Sequence, residues 1–305
     1  MKVRQLIDYV FIALKGMAMG AADVVPGVSG GTIAFISGIY EELISSINGI
    51  SLSLFKTLRK EGLKTFWNEA NGNFLLALFL GIFISVVSLA KFLSWLLENK
   101  PILLWSFFFG LVFASIFFVG KEITKWNFGT ISIFLIGAVL AFFITELPPN
   151  ENVSSLPYLF LSGALAVCAM ILPGISGAFI LVLLGSYKTI LDAVHEKDIK
   201  IVITVGLGAI FGLLSFARIL KWMFNHYKNI TLALLTGFIL GSLNKIWPWK
   251  KVLETRTFGD KTIVIDDMNV WPWAFEGDNQ LILALILAIT GFSLIFILER
   301  FASKK

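Results

Sequence analysis

Cysteine is nearly absent. Cys168 stands alone in 305 residues, which leaves no internal disulfide, and its place in an apolar run reads as a small buried hydrophobe. Histidine is as scarce: His195 and His226 are the only two, and with one cysteine they make no metal cluster. No HExxH pattern occurs, and no histidine lies near Ser29 or Ser176 in sequence, so neither a metallohydrolase nor a hydrolytic triad has support. Charge is also sparse. Only 15% of residues are Asp, Glu, Lys or Arg, against about a quarter in soluble domains. The net charge of +5 comes without a basic stripe interleaved with exposed aromatics, so nucleic acid is not an expected partner.

What is abundant is apolar. Hydrophobic residues make up 57% of the chain and gather in six long windows: Asn73 to Leu97, Pro101 to Val119, Phe128 to Ile144, Ile199 to Trp222, Ile230 to Trp247 and Gln280 to Leu298. A bilayer core takes roughly 20 apolar residues per helix, so each window can span. The nine tryptophans fall near window ends or in loops, where aromatic side chains anchor to the interface. Lys2 and Arg4 precede an apolar stretch as in a signal peptide. Lys15 interrupts it, however, and the region recurs inside the chain, so it reads as structure. The expectation is an all-α polytopic membrane protein.

The chain is written twice. At an offset of 147, VVPGVSGGTIAFISGIYEEL (Val24 to Leu43) falls on ILPGISGAFILVLLGSYKTI (Ile171 to Ile190), and Pro26, Gly27, Ser29, Gly30, Ile33, Gly38 and Tyr40 recur in the copy. At an offset of 127, Gly81, Ser88, Ala90, Lys91 and Trp95 correspond to Gly208, Ser215, Ala217, Arg218 and Trp222; Gly110 and Ser115 correspond to Gly237 and Ser242. A weaker pairing sets Phe128 to Ile144 against Gln280 to Ile297. The reading is a first repeat over 1–146, an external linker over 147–157 and a second repeat over 158–305, each a re-entrant broken-helix hairpin followed by three transmembrane helices.

Charge bias orients the halves. Lys2 and Arg4 precede the first hairpin, and Lys56, Arg59, Lys60 and Lys64 outnumber Glu61 and Glu69 after it, so both flanks prefer the cytosol. Three spans then lead to an outer loop holding Glu146 and Glu151 and no basic residue. The second hairpin starts outside, and Arg300, Lys304 and Lys305 end inside. Three is odd, so the repeats are inverted and both termini are cytosolic. Inverted repeats are common in secondary transporters with alternating access.

Pro26 and Pro173 break the hairpins because proline donates no backbone bond and biases the residue before it away from helix. Ser29 and Ser176 can cap the arms that follow. Broken backbone inside a membrane survives only when buried in protein or lining a wet cavity, and free N–H groups at a helix start attract anions. Gly27, Ser29, Gly30 and Gly31 with Gly174, Ser176 and Gly177 are therefore candidate contacts for a phosphate near the midplane. A break that only improves helix packing is the other reading. Lys91 and Arg218 are repeat mates inside apolar windows and suit the same phosphate, or snorkel to headgroups. Asp23, whose mate is Met170, is a candidate to pair with Lys15, Lys91 or Arg218, to carry a proton or cation, or to cap the break. Glu41 and Glu42 read as an interface, with Glu41 a second candidate for coupling. Tyr40 and Tyr187 are candidates for headgroup contact or for the aromatic belt. No cofactor or metal is expected.

With these motifs, above all GMAMGAADVVPGVSGGTIAFISGIYEELI and ILPGISGAFILVLLGSYKTIL, nearly the whole chain resembles the DUF368 membrane proteins, the polyprenyl-phosphate transporters named PopT. The resemblance implies a non-enzymatic carrier in the bacterial cytoplasmic membrane. It would return undecaprenyl phosphate, or a related polyprenyl phosphate, from the outer to the cytosolic leaflet. Its partners would be that lipid and the phospholipid bilayer, with a homodimer as a candidate assembly. From the residues alone, a transporter or channel for a small anion and a non-transporting scaffold or sensor stay open. Departures from strict duplication are Ala178 for Gly31 and Met170 for Asp23.

Overall fold

The computed structural model describes residues 4–25, 28–148, 150, 155–258 and 261–302. It is mostly helical. The first hairpin region comprises α1 (Leu6–Val24), α2 (Gly30–Ile36) and α3 (Tyr40–Gly49), followed by α4 (Leu52–Glu69). Three long helices come next, α5 (Gly72–Asn99), α6 (Pro101–Lys121) and α7 (Phe128–Glu146). The second hairpin region comprises α8 (Leu156–Ile171), α9 (Gly177–Leu183) and α10 (Tyr187–His195). It leads to α11 (Ile199–His226) and α12 (Lys228–Ser242), which ends in a 3₁₀ turn at Leu243–Ile246. Last is α13 (Leu281–Ala302). Five helices among the described residues, α5, α6, α7, α11 and α12 with its 3₁₀ turn, are long and apolar enough to cross a membrane. The 28 residues of α5 rise about 42 Å at 1.5 Å each, more than a hydrocarbon core needs. Large apolar side chains such as Phe83, Val87, Phe143 and Ile282 point outward, as lipid-facing residues do.

Three local features differ from the sequence reading. The segment after the first hairpin adds a helix to the expected hairpin and three spans: it is α4, bent at Gly62 where φ is 85°. Each returning arm is shorter than expected and turns again. Gly38 and Gly185, mates at offset 147, adopt φ of 71° and 67°, a region that favours glycine, and α3 and α10 start two residues later. The bend between α9 and α10 is 106°. Third, the polar stretch after α12 is not irregular, so the molecule is not purely helical. It forms an antiparallel hairpin of β1 (Lys250–Phe258) and β2 (Lys261–Asn269), paired from Lys250↔Asn269 to Phe258↔Lys261. Trp247 Nε1 donates to Val270 O and Trp249 Nε1 to Asn279 O, which fastens this hairpin to the helices. Trp249 is buried there against Ile102 and Ala284, so it belongs to a small core and not to an interfacial belt.

Small residues set the helix pairing, and the contacts recur at the repeat offsets. A Cβ at Gly81 would collide with the Ala13 carbonyl, and one at Gly208 with the Phe160 carbonyl. In the same way Gly110 lies against Ala288 and Gly237 against Phe134, while Gly291 lies against Phe107 and Gly137 against Leu234. These glycines let backbones approach without side chains between them, which is how apolar helices gain dispersion contact in lipid. The same contacts show that the halves interlock: α6 packs on α13, and α12 packs on α7. Along α1 the contacts climb α5 in the same direction, Gly16 beside Leu78 and Gly20 beside Ile82 and Ser85. The first break, four residues beyond Gly20, therefore lies about one turn past the middle of α5.

Candidate functional site

The two breaks meet inside the bundle. In the first, α1 ends at Val24, and Ser29 begins α2 from an extended conformation, φ −122° and ψ 132°. Four amides at a helix start lack intrahelical partners, and this arm satisfies its own. Asp23 Oδ1 accepts from Gly30 N at 2.7 Å, and Ser29 Oγ accepts from Gly31 N at 3.1 Å. The Ser29 carbonyl takes the Thr32 and Ile33 amides. Ser29 is fully buried.

The second break lies against the first. Ser29 Oγ is within hydrogen-bond reach of Leu172 O at 3.1 Å and of Met170 O at 3.3 Å. Its single proton serves these orphan carbonyls at the end of α8. Thr32 Oγ1 accepts from Gly174 N at 2.9 Å. Gly31 packs so closely on the end of α8 that a Cβ would sit 2.5 Å from Ile171 O. Gly174 has φ +91° and a would-be Cβ 2.6 Å from Ser242 Oγ, so both its conformation and its closeness to α12 require glycine. The second arm does not cap itself: among the described residues Ser176 Oγ holds no hydrogen bond, although the residue is only 7% exposed. Uncommitted donors beside a closed set are an arrangement that can receive an oxyanion on one side only.

The other expected site residues divide. Gly27, with Pro26, lies outside the described residues. Gly30, Gly31, Gly174 and Gly177 are all at the two breaks. Lys91 and Arg218 are exposed on α5 and α11 and make no ion pair or hydrogen bond among the described residues, so their side chains are not gathered at the breaks. Asp23 pairs with an amide and with none of the three cations considered for it; Lys15 donates to Ser37 O at 2.7 Å instead. Glu41 is half-exposed and holds Lys228 at 2.8 Å, which ties α3 to the start of α12. Tyr187 is half-buried at the start of α10. Tyr40 is corrected: it is 3% exposed, with its ring 4.6 Å from Phe35 and 6.0 Å from Phe224, so it reaches neither headgroups nor an aromatic belt. The second bend at Gly38 turns it into the core. Its hydroxyl has no partner among the described residues.

Near the entry to the first hairpin, Arg4 grips Glu42 with two bonds of 2.7 and 2.6 Å, and Asn71 donates to the same carboxylate at 2.9 Å. Burial alone would raise the Glu42 carboxyl, but the bonds from Arg4 and Asn71 outweigh it and hold it below its ordinary 4.5.

Two residues at the breaks escaped the sequence reading. Thr32 gave one signal, a hydroxyl two residues past the duplicated Gly30 where the copy has Phe179. Lys245 gave another, a charge inside an apolar window. Its ammonium lies 5.3 Å from the ring centre of Phe179, on the second arm.

Long lipid-facing helices, two broken hairpins meeting in the interior and no fully capped second arm define a class: a polytopic membrane protein with paired discontinuous helices, the architecture used for ion and anion sites in transporters. Comparison with known proteins narrows it. The VCA0040-like family, described as undecaprenyl phosphate translocase-like, matches residues 19–263, and the chain belongs to that family. It is 44% identical over 303 residues to the polyprenyl-phosphate transporter of Vibrio cholerae, covering 98% of each chain. It is 33% identical over 253 residues to the polyprenyl-phosphate transporter of Staphylococcus aureus, covering 77% of this chain and 85% of the relative. No solved structure matches it.

Proposed function

We propose that this protein carries a polyprenyl phosphate, with undecaprenyl phosphate the expected substrate, from the outer to the cytosolic leaflet of the bacterial cytoplasmic membrane, with no covalent chemistry. The observation that carries the reading is the direct contact of the two Pro-Gly-x-Ser-Gly breaks through Ser29 and Thr32, in a chain whose relatives are named polyprenyl-phosphate transporters. In this proposal the halves 1–146 and 158–305, joined by 147–157, are inverted repeats with both termini cytosolic, as the loop charges prefer. The phosphate head meets the breaks near the midplane, where a fixed polar surface replaces the water it has lost, while the prenyl tail stays in lipid. Alternating access follows if the two breaks open in turn. Gly27, Ser29, Gly30 and Gly31 serve the head when the first break opens, and Gly174, Ser176 and Gly177 when the second does. Lys91 and Arg218 attract the head from the lipid-facing surface. Asp23 and Glu41 are the acids at which ion coupling would be sought.

Reconstitution in vesicles with labelled undecaprenyl phosphate tests this. The parent protein is expected to speed the change of sidedness over empty vesicles, and Arg218→Ala to slow it. No acceleration by the parent overturns the proposal.

A further inference from the structure

Outside the two breaks, the densest buried charge is at the junction of α12 and the β hairpin. Lys250 is 12% exposed and its ammonium spends all three donors, on Lys245 O at 2.9 Å and on Asp267 Oδ1 and Oδ2 at 3.2 and 3.1 Å. It also lies 5.5 Å from the centre of the Trp105 ring. Burial pulls this ammonium below its ordinary 10.5 against the raising effect of Asp267. Asn269 donates to both Asn244 O and Asn244 Oδ1, and Asn244 in turn donates to Glu146. This is a saturated clasp.

Lys245 is different. It is 22% exposed and holds only a long ion pair with Asp267, 3.5 Å, on a carboxylate already gripped by Lys250. Its ammonium makes no hydrogen bond among the described residues, so its three N–H donors are unspent. Two cations share the Asp267 carboxylate, with Glu146 held nearby through Asn244, and of the two Lys245 is the less committed. The ammonium faces Phe179. Phe179 stands one helical turn from Ser176, whose hydroxyl is also unpartnered among the described residues in a residue 93% buried, from its 7% exposure. On the other side, Lys245 stands one turn from Ser242, which touches Gly174 of the second break. An unsaturated ammonium just past α12 and an unsaturated hydroxyl at the start of the second arm are thus linked through Phe179 and through the approach of Ser242 to Gly174.

We propose that Lys245 and Ser176 form an anion subsite for a phosphate monoester, at the side of the second break nearer the β hairpin. The inference rests on the transport reading for its substrate and deepens it by naming where the head is first held. The Lys250 ammonium bonds the Lys245 carbonyl and shares its carboxylate, which keeps the Lys245 stem in place, and the burial of Ser176 lets one charge-assisted bond count. At offset 127 the mate of Lys245 is Phe118, so the first half has no such cation and the subsite belongs to one side only.

Binding of undecaprenyl phosphate to the full-length protein in lipid nanodiscs tests the subsite. Lys245→Gln is expected to weaken binding about tenfold, the size of one charge-assisted hydrogen bond, and Lys245→Arg to restore most of it. Undecaprenol, which lacks the phosphate, should not distinguish parent from Lys245→Gln. Inorganic phosphate should compete only at far higher concentration; competition at equal concentration would overturn the lipid as the source of the anion. A second measurement avoids any folding defect. In the parent, saturating undecaprenyl phosphate should protect Lys245, and not exposed Lys251, from an amine-reactive label read by mass spectrometry. Unchanged affinity in Lys245→Gln, or no protection at Lys245, overturns the subsite. A parent that binds and is protected but does not move the lipid defeats the transport reading and leaves the subsite standing.

Discussion

The two breaks carry the same Pro-Gly-x-Ser-Gly motif and are bonded in opposite ways. The first is closed on itself: Asp23 holds Gly30, Ser29 holds Gly31, and Ser29 and Thr32 reach across to the partner. The second reaches for nothing with its own side chain, and Ser176 is left with donor and acceptor capacity unspent. Where the first copy has Asp23, Gly31 and Thr32, the second has Met170, Ala178 and Phe179. These three differences leave the first break a clamp and the second, in the proposed reading, a receiver. The difference teaches that equal motifs need not contribute equal contacts to one site.

The sharpest way to break this contrast is at Gly31. Alanine there would put a Cβ 2.5 Å from the Ile171 carbonyl and force the breaks apart, whereas position 178 already carries alanine. Gly31→Ala should cost about 1–3 kcal/mol by overpacking and reduce transport more than tenfold, and Ala178→Gly should cost about 1 kcal/mol or less. Thermal melting and vesicle transport on both variants check it; equal effects would remove the asymmetry.

Next come the hydroxyls. Ser29→Ala and Thr32→Val each remove a buried bond across the breaks and should cost about 1–2 kcal/mol, with Thr32→Ser retaining the bond. Ser176→Ala should change melting by less than about 0.5 kcal/mol, yet weaken substrate binding. If Ser176→Ala melts as early as Ser29→Ala, the clamp and receiver roles are misassigned.

The fastening of the first hairpin by Arg4 and Glu42 gives a smaller effect, with a pH signature. Arg4→Gln should cost about 1 kcal/mol near neutral pH, since the pair is partly solvated. The Glu42 carboxyl is held below its ordinary 4.5, so its contribution is fully present above that value and is lost as pH falls through the lowered folded value. Melting measured between pH 7 and 3 should therefore show parent and Arg4→Gln converging as pH falls below the ordinary carboxyl value of 4.5. The second hairpin has uncharged Thr189 at the mate of Glu42.

The smallest effect is expected at Tyr40. Its hydroxyl is buried without a partner among the described residues, so Tyr40→Phe should be neutral or raise stability slightly, within about 0.5 kcal/mol. A marked loss of melting temperature would mean that the hydroxyl has a partner in the working protein.

Much of the fold was legible because the forces that set it are local or periodic. Window Pro101 to Val119 became helix 101–121, and Phe128 to Ile144 became 128–146, since apolar length alone decides what can cross lipid. The breaks were legible because proline and glycine act on their own backbone. Tyr40 was misread because burial depends on which helix lies opposite, and Phe224 is 184 residues away by sequence number. The hairpin after α12 was missed because its strands carry many charged and polar residues, and its anchoring tryptophans bond to distant carbonyls.

By itself, then, the sequence determined a duplicated, membrane-spanning chain with two interior breaks, because hydropathy, proline and glycine speak for their own positions. Only the tertiary structure decided that the breaks touch, that Asp23 caps rather than pairs, and that Lys245 faces the second arm. Those facts depend on which donors and acceptors are brought within about 3 Å of one another, and interlocked helices set that across more than a hundred residues of chain.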